Sequence, residues 1–94
     1  MGASIRAMYF VYVLRCRDGS LYTGITNDTA RRLKAHKAGT ASKYTRSRGA
    51  LKFEYIERKR TRGTALKREA QIKKFTRAQK LVLINKVGDS RKVR

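Results

Sequence analysis

Six carboxylates in 94 residues are few against 25 lysines and arginines. Cysteine and histidine are scarcer still. Cys16 stands alone, so no internal disulfide can form, and its place in an apolar run reads as that of a small core residue. His36 is the only histidine, and one Cys with one His cannot build a structural zinc site, which wants four N/S ligands. No apolar run reaches the ~20 residues that a helical membrane span needs. The opening MGASIRAMYF lacks the charged, apolar and small-residue pattern of a signal peptide. Arg6 stands where a myristoylation signal expects Ser or Thr. Met8 offers an alternative start, which would leave residues 1–7 as a loose leader. These absences lead to the expectation of a soluble, cytoplasmic protein with no membrane partner.

The net charge is +19. That excess exceeds what solubility requires and predicts a polyanionic partner, bound through phosphate contacts and counterion release. A membrane-surface peptide would gather its cations on one face of one helix, whereas here they are spread along the whole chain. Two classes remain: an enzyme of nucleic acid, and a non-catalytic basic nucleic-acid-binding protein of ribosomal or histone-like type. The length predicts one domain with little room for accessory modules.

MYFVYVLRC (8–16) is a β-branched and aromatic run that predicts a buried strand. Asp18-Gly19 signals a tight hairpin turn, and LYTGIT (21–26) is the return strand. A hairpin centred near 18.5 pairs Tyr12 with a residue near 25 and Tyr22 with one near 15, leaving the two tyrosines diagonal. Residues 27–29 offer an N-cap, ARRLKAHKA is a helix, and Gly39 is its stop. Residues 40–50 read as a polar, basic loop. LKFEYIERK (51–59) is a third strand, with Phe53 and Tyr55 expected on one face. Thr64 is the expected cap of a helix over 65–75. Thr76 and Gln79 form a capping box that opens a last helix, which Gly88 ends. A flexible basic tail over 88–94 follows. The chain has no prolines and no internal repeats. The order β-β-α-β-α-α over 8–87 predicts an α+β domain, a small three-stranded, mostly antiparallel sheet flanked by three helices.

Because acids are so few, each one is informative. Asp18 lies in the turn, Asp28 at a helix start, Glu54 and Glu57 in the third strand and Asp89 in the tail. Glu69 shares a helical stripe with Ala65 and Ile72, which turns its carboxylate toward the protein body. An inward carboxylate is costly unless met by a cation. It is either a salt-bridge partner or a ligand for Mg²⁺ or Mn²⁺, which take one or two carboxylates, waters and substrate phosphates. Arg32 and His36 lie four positions apart on one helix face, while Arg31 points about 100° away. Arg32 offers a planar fork for phosphate oxygens, and His36 can donate to phosphate or move a proton near neutral pH. Tyr12 and Tyr22 carry phenols whose ordinary pKa of ~10 is too high for a base, and neighbouring cations would draw it down. In SKYTRSRG (42–49), Lys43, Arg46 and Arg48 can clamp phosphates, with Tyr44 stacking on a base.

Taken together, VYV at 11–13, YTG at 22–24, Arg32, His36 and the later Glu69 resemble the GIY-YIG nuclease superfamily, most closely its small stand-alone, single-domain members. The spacing is regular, with ten residues from Tyr12 to Tyr22 (22 − 12) and ten more to Arg32 (32 − 22). The first triplet lacks its glycine and the second has Thr23 in place of isoleucine. The resemblance implies a metal-dependent phosphodiesterase that cuts DNA in repair, recombination or mobile-element contexts. It also implies a general base among Tyr12 and Tyr22, with Tyr12 favoured, a phosphate-binding Arg32, an assisting His36 and a metal-binding Glu69. Gly24 is then kept so that the backbone can approach substrate. Asn27 and Asn85 are candidates for a late asparagine found in several relatives. Most characterised members of that superfamily also carry a separate DNA-binding or partner module, so a partner protein that supplies specificity, and RNA in place of DNA, both stay open.

Overall fold

The computed structural model describes residues 8–93, with side chains through residue 86. The leader expected over 1–7 and the side chains of the 88–94 tail lie outside the described residues. Three strands, β1 (Tyr9–Cys16), β2 (Leu21–Thr26) and β3 (Ala50–Lys59), form one sheet in the order β2-β1-β3, antiparallel throughout. Among the described residues four helices accompany it: α1 (Thr29–Ala38), α2 (Lys43–Arg48), α3 (Arg62–Lys73) and α4 (Arg77–Val93).

β1 is central and contributes to both faces, as period-2 alternation requires. Val11 and Val13 join Leu21 and Tyr55 on one face, where Ala65 and Ile72 of α3 and Ile84 of α4 cover them. Tyr12, Leu14 and Cys16 join Tyr22 and Phe53 on the other, beneath Leu33 of α1. Cys16 is fully buried, as a core residue should be.

The hairpin register differs from the expected one by half a residue pair. Tyr12 faces Gly24 and Leu14 faces Tyr22. The connection is three residues long, not two. Gly19 N–H donates to the Cys16 carbonyl and Cys16 N–H to the Ser20 carbonyl, with Gly19 left-handed at φ 85°. The consequence is large. A centre at 18.5 would put Tyr12 and Tyr22 on opposite faces, whereas the observed register puts both on one.

β3 departs from expectation in the same way. Val13 pairs with Tyr55 but Leu14 pairs with Phe53, so Glu54 is an extra residue in a β-bulge. The bulge sends Phe53 to the Tyr12 face and Tyr55 to the opposite one. It also turns Glu54 toward Arg15, whose Nε donates to it at 2.6 Å.

Residues 40–50 are not a plain loop. Ser42 caps the short helix α2 by accepting from Thr45 N–H, and Gly49, at φ 78°, ends it. The cap of α3 is Thr61, three residues before Thr64, because Thr61 Oγ1 accepts from Thr64 N–H. The Thr76–Gln79 box forms in both directions, at 2.8 and 3.1 Å. α4 runs through Gly88 to Val93. A glycine stops a helix where the chain turns left-handed; within one it costs only about 1 kcal/mol.

The Thr23 hydroxyl is buried without a hydrogen-bond partner. An unpaired buried hydroxyl is destabilising, and a β-branched apolar side chain of the same shape removes the penalty. Thr23→Val is therefore expected to raise unfolding stability by about 1 kcal/mol in urea denaturation; a loss of stability would mean that the hydroxyl is satisfied in solution.

Candidate active site

The first helix is fixed at both ends. Asp28 caps it by accepting from Arg31 N–H at 3.0 Å, and Gly39, at φ 81°, closes it. Between these ends the 3.6-residue period directs Arg32 and His36 to one side, and the exposed Arg31 stays with Asp28. His36 is 1% exposed.

Both nitrogens of the buried ring are occupied. Nε2 lies 2.7 Å from Tyr12 Oη, and Nδ1 lies 2.8 Å from Thr45 Oγ1. Thr45, itself fully buried, continues to Ser42 Oγ at 2.8 Å. Burial, and then the charge of Arg32, push the His36 pKa below its ordinary value, so the ring is neutral. Burial, with a contribution from Tyr22, pushes Tyr12 well above the ordinary phenol range, and Arg32 only partly opposes it. The expected cation-driven lowering at Tyr12 is thus overturned: desolvation of the phenolate outweighs one half-buried guanidinium. With a protonated phenol and a neutral imidazole, one direction satisfies every atom. Tyr12 O–H donates to Nε2, Nδ1–H donates to Thr45, and Thr45 O–H donates to Ser42.

Aromatic contacts hold this arrangement laterally. The Tyr12 ring lies 4.8 Å from Phe53 and 6.4 Å from Tyr22, and Tyr22 meets the edge of His36 at 5.3 Å. Gly24 has an intramolecular role: a Cβ there would lie 2.6 Å from Tyr12 Oη and 2.7 Å from its Cζ. The glycine clears the space that the Tyr12 ring occupies.

Arg32 is half-buried and makes no ion pair among the described residues. Glu69 is turned inward, with its side chain 16% exposed, and pairs at 3.1 Å with Lys73, an exposed residue of the same helix. Its charge is felt at Tyr12. Glu54 and Glu57, by contrast, are tied across elements to Arg15 and Arg68. Among the described residues no three His, Cys, Asp or Glu side chains gather to hold a metal. A single carboxylate still suits Mg²⁺ or Mn²⁺ held largely by waters and substrate phosphates.

Of the five residues expected to bind nucleic acid, Gly24 lies against the Tyr12 ring, and the four within 42–49 divide into two groups. Lys43 and Arg46 line a cleft beside Gly39–Ser42. Tyr44 and Arg48 face the hairpin: the Tyr44 ring is 5.5 Å from Tyr22, and the Arg48 guanidinium sits 4.3 Å over it while pairing with Asp18 at 2.7 Å. Neither Asn27 nor Asn85 takes part in these contacts, and both are exposed. Sequence reasoning missed Thr45, Ser42 and Phe53. The S-x-x-T cap pattern was a signal for α2, but nothing marked Thr45 as buried.

The GIY-YIG catalytic domain family model matches residues 8–82. The chain belongs to the GIY-YIG family. It is 51% identical over 78 residues to a UPF0213 protein of Clostridium perfringens, covering 83% of this chain and 84% of that one. A UPF0213 protein of Oceanobacillus iheyensis is 45% identical over 76 residues, covering 81% and 88%. The solution structure of a UPF0213 protein from Bacillus halodurans aligns with a TM-score of 0.54 at 37% identity, covering 83% of each chain. Membership in the GIY-YIG family implies nuclease activity.

Two outcomes follow from the buried chain. Thr45→Val leaves His36 Nδ1–H without an acceptor and is expected to cost about 1–3 kcal/mol, with Thr45→Ser recovering most of it, read by chemical denaturation. Equal stability in all three proteins would remove Thr45 from the network. The second concerns pH. The folded His36 value lies below the ordinary 6.5, so the unfolded chain binds the proton more readily. Stability is fully present above about 6.5 and falls as pH drops toward the folded value. Asp18, held down to about 2 first by Ser20 and then by Arg48, adds its own loss only below its ordinary 3.8. Denaturation midpoints should therefore be level between about pH 7 and 8 and already falling by pH 5.5; a flat profile from pH 8 down to 5.5 would contradict a buried neutral His36.

Proposed function

We propose that the protein is a divalent-metal-dependent endonuclease that hydrolyses phosphodiester bonds in DNA, in repair or recombination. The observation that carries this reading is the buried Tyr12–His36–Thr45 chain beside an Arg32 with no ion pair among the described residues. A scaffold that only binds polyanions has no use for a phenol and an imidazole desolvated against each other, because neither contributes charge. For proton transfer the pairing is apt.

In this reading Tyr12 acts as a base without first becoming a phenolate. Its oxygen takes a proton from the attacking water while its own proton passes to His36 Nε2. Charge then rests on the imidazole, and the hydroxide attacks phosphorus as the bond to the leaving oxygen breaks. The fixed Nδ1–H···Thr45 bond keeps Nε2 open as the acceptor. Arg32 offers its fork to the phosphate oxygens as negative charge grows there. Glu69 would hold the metal ion, which when bound supplies Lewis-acid stabilisation of that charge. Lys73 is exposed and can leave Glu69 at little cost, since such surface pairs contribute at most ~1 kcal/mol. Tyr22, half-buried and touching the Tyr12, His36 and Tyr44 rings, packs the wall that the substrate would meet.

The test is cleavage of branched, nicked and linear DNA with Mg²⁺ or Mn²⁺, then with EDTA. Tyr12→Phe and Glu69→Ala are expected to keep DNA binding and to lose roughly 10²–10⁴-fold in rate. Binding by the wild-type protein with no metal-dependent cleavage on any substrate would favour the non-catalytic binder, and undiminished cutting by both variants would overturn the residue assignment.

A further inference from the structure

Beside the hairpin turn, at the β2 edge of the sheet, a cleft of about 230 Å³ is lined by Ser20, Leu21, Tyr44, Phe75, Arg77 and Lys80. Among the described residues no carboxylate lines it. Lys80 is half-buried and makes no ion pair among the described residues. Burial, and then the neighbouring Lys73, disfavour its charge. A cation kept partly dry beside a like charge is a standing cost to the fold, which an incoming anion relieves. Arg77 reaches across to the hairpin, where Nη1 donates to the Gly19 carbonyl at 2.7 Å. One nitrogen is thereby anchored and the planar fork is held at the cleft.

Leu21, Phe75 and Tyr44 supply the apolar walls, and Ser20, bonded to Asp18, lies at the turn. Phe75 packs on the core. Tyr44 is fixed by Arg48 over its ring, and Arg48 by Asp18. Because Arg48 occupies a ring face, a base would rest against Phe75 and the edge of Tyr44. The Tyr44 ring lies 5.5 Å from Tyr22, and Tyr22 lies 6.4 Å from Tyr12. The cleft is thus one aromatic ring removed from the candidate reactive phenols.

We infer that this cleft is a subsite for one backbone phosphate of the nucleic-acid strand, next to the phosphodiester that is cut, with Lys80 and Arg77 as its cations and Phe75 and Tyr44 against the attached nucleoside. The inference rests on the nuclease reading, since that reading supplies the strand. It goes beyond that reading by giving α4, which takes no part in the candidate active site, a role in holding substrate.

The experiment measures binding of a short single-stranded oligonucleotide by fluorescence anisotropy in EDTA across a salt series, so no cutting enters. Lys80→Met is expected to weaken binding several-fold and to flatten the log K against log salt slope by about 0.7, one phosphate contact on a single strand. Lys52→Met, an exposed position on β3, is expected to change neither quantity. The melting temperature of Lys80→Met should hold or rise, because an uncompensated cation is removed. Wild-type binding and slope in Lys80→Met, an equal loss in Lys52→Met, or a lower melting temperature with binding intact would each overturn the subsite. Those readouts stand whether or not the protein cleaves; failure of the nuclease reading would appear separately, as absent cleavage with metal.

Discussion

The hydrogen bond between Tyr12 Oη and His36 Nε2 joins the central strand to the first helix, and much of the molecule is arranged around making it possible. Two polar groups are taken out of water there, at a cost that only complete pairing can offset. The chain therefore does not stop at His36 but continues through Thr45 to Ser42, which is half-buried. That continuation needs α2, and α2 exists because Ser42 caps it and Gly49 ends it. On the other side of the ring, Gly24 is required, since any side chain there would occupy the position of the phenol. The glycine of the YTG triplet and the threonine of a basic hexapeptide thus serve a single bond.

Strand alternation, the Asp28 and Gly39 ends of α1, the Thr76–Gln79 box and the i, i+4 relation of Arg32 to His36 were all legible, because each is a local rule that tertiary contacts reinforce. Three features were not. Asp18-Gly19 looks like a two-residue turn; only the left-handed Gly19 bonded back to Cys16 makes it three, and that difference decides whether Tyr12 and Tyr22 share a face. The Glu54 bulge leaves no trace in the β3 pattern, and the partner that Glu54 meets, Arg15, lies in another strand. The helix α2 is six residues long, too short to show an amphipathic stripe, and its only buried side chain is a hydroxyl set among basic residues. In sequence Thr45 resembles its solvated neighbours. Its partner is a histidine nine positions away, brought close by a left-handed glycine.

The scarcity of acids explains how the site can be read at all. Asp18, Asp28, Glu54, Glu57 and Glu69 are each met by a cation. Glu54 and Glu57 join separate elements, and Asp18 ties the hairpin to α2. Among the described residues Glu69 pairs only one turn along its own helix. Removing its partner would loosen no other element, so it is the inward carboxylate that can change partners without cost to the fold. Under the proposed function a divalent ion would compete there against a single exposed ammonium.

Among the described residues the cations divide in the same way, into paired and unpaired. Arg15, Arg48 and Arg68 are paired and hold elements together. Arg32 and Lys80 have partly buried side chains, no ion pair among the described residues, and positions on either side of the tyrosine cluster. A net charge of +19 destabilises a compact state through self-repulsion, and burying unpaired cations adds to that cost. The fold bears the cost most heavily where Arg32 and Lys80 are held partly dry. Under the proposed function a bound polyanion would relieve it at both places at once, and occupation of the site would stabilise the folded form by mass action. A surface built only for solubility would spread its charge into water instead.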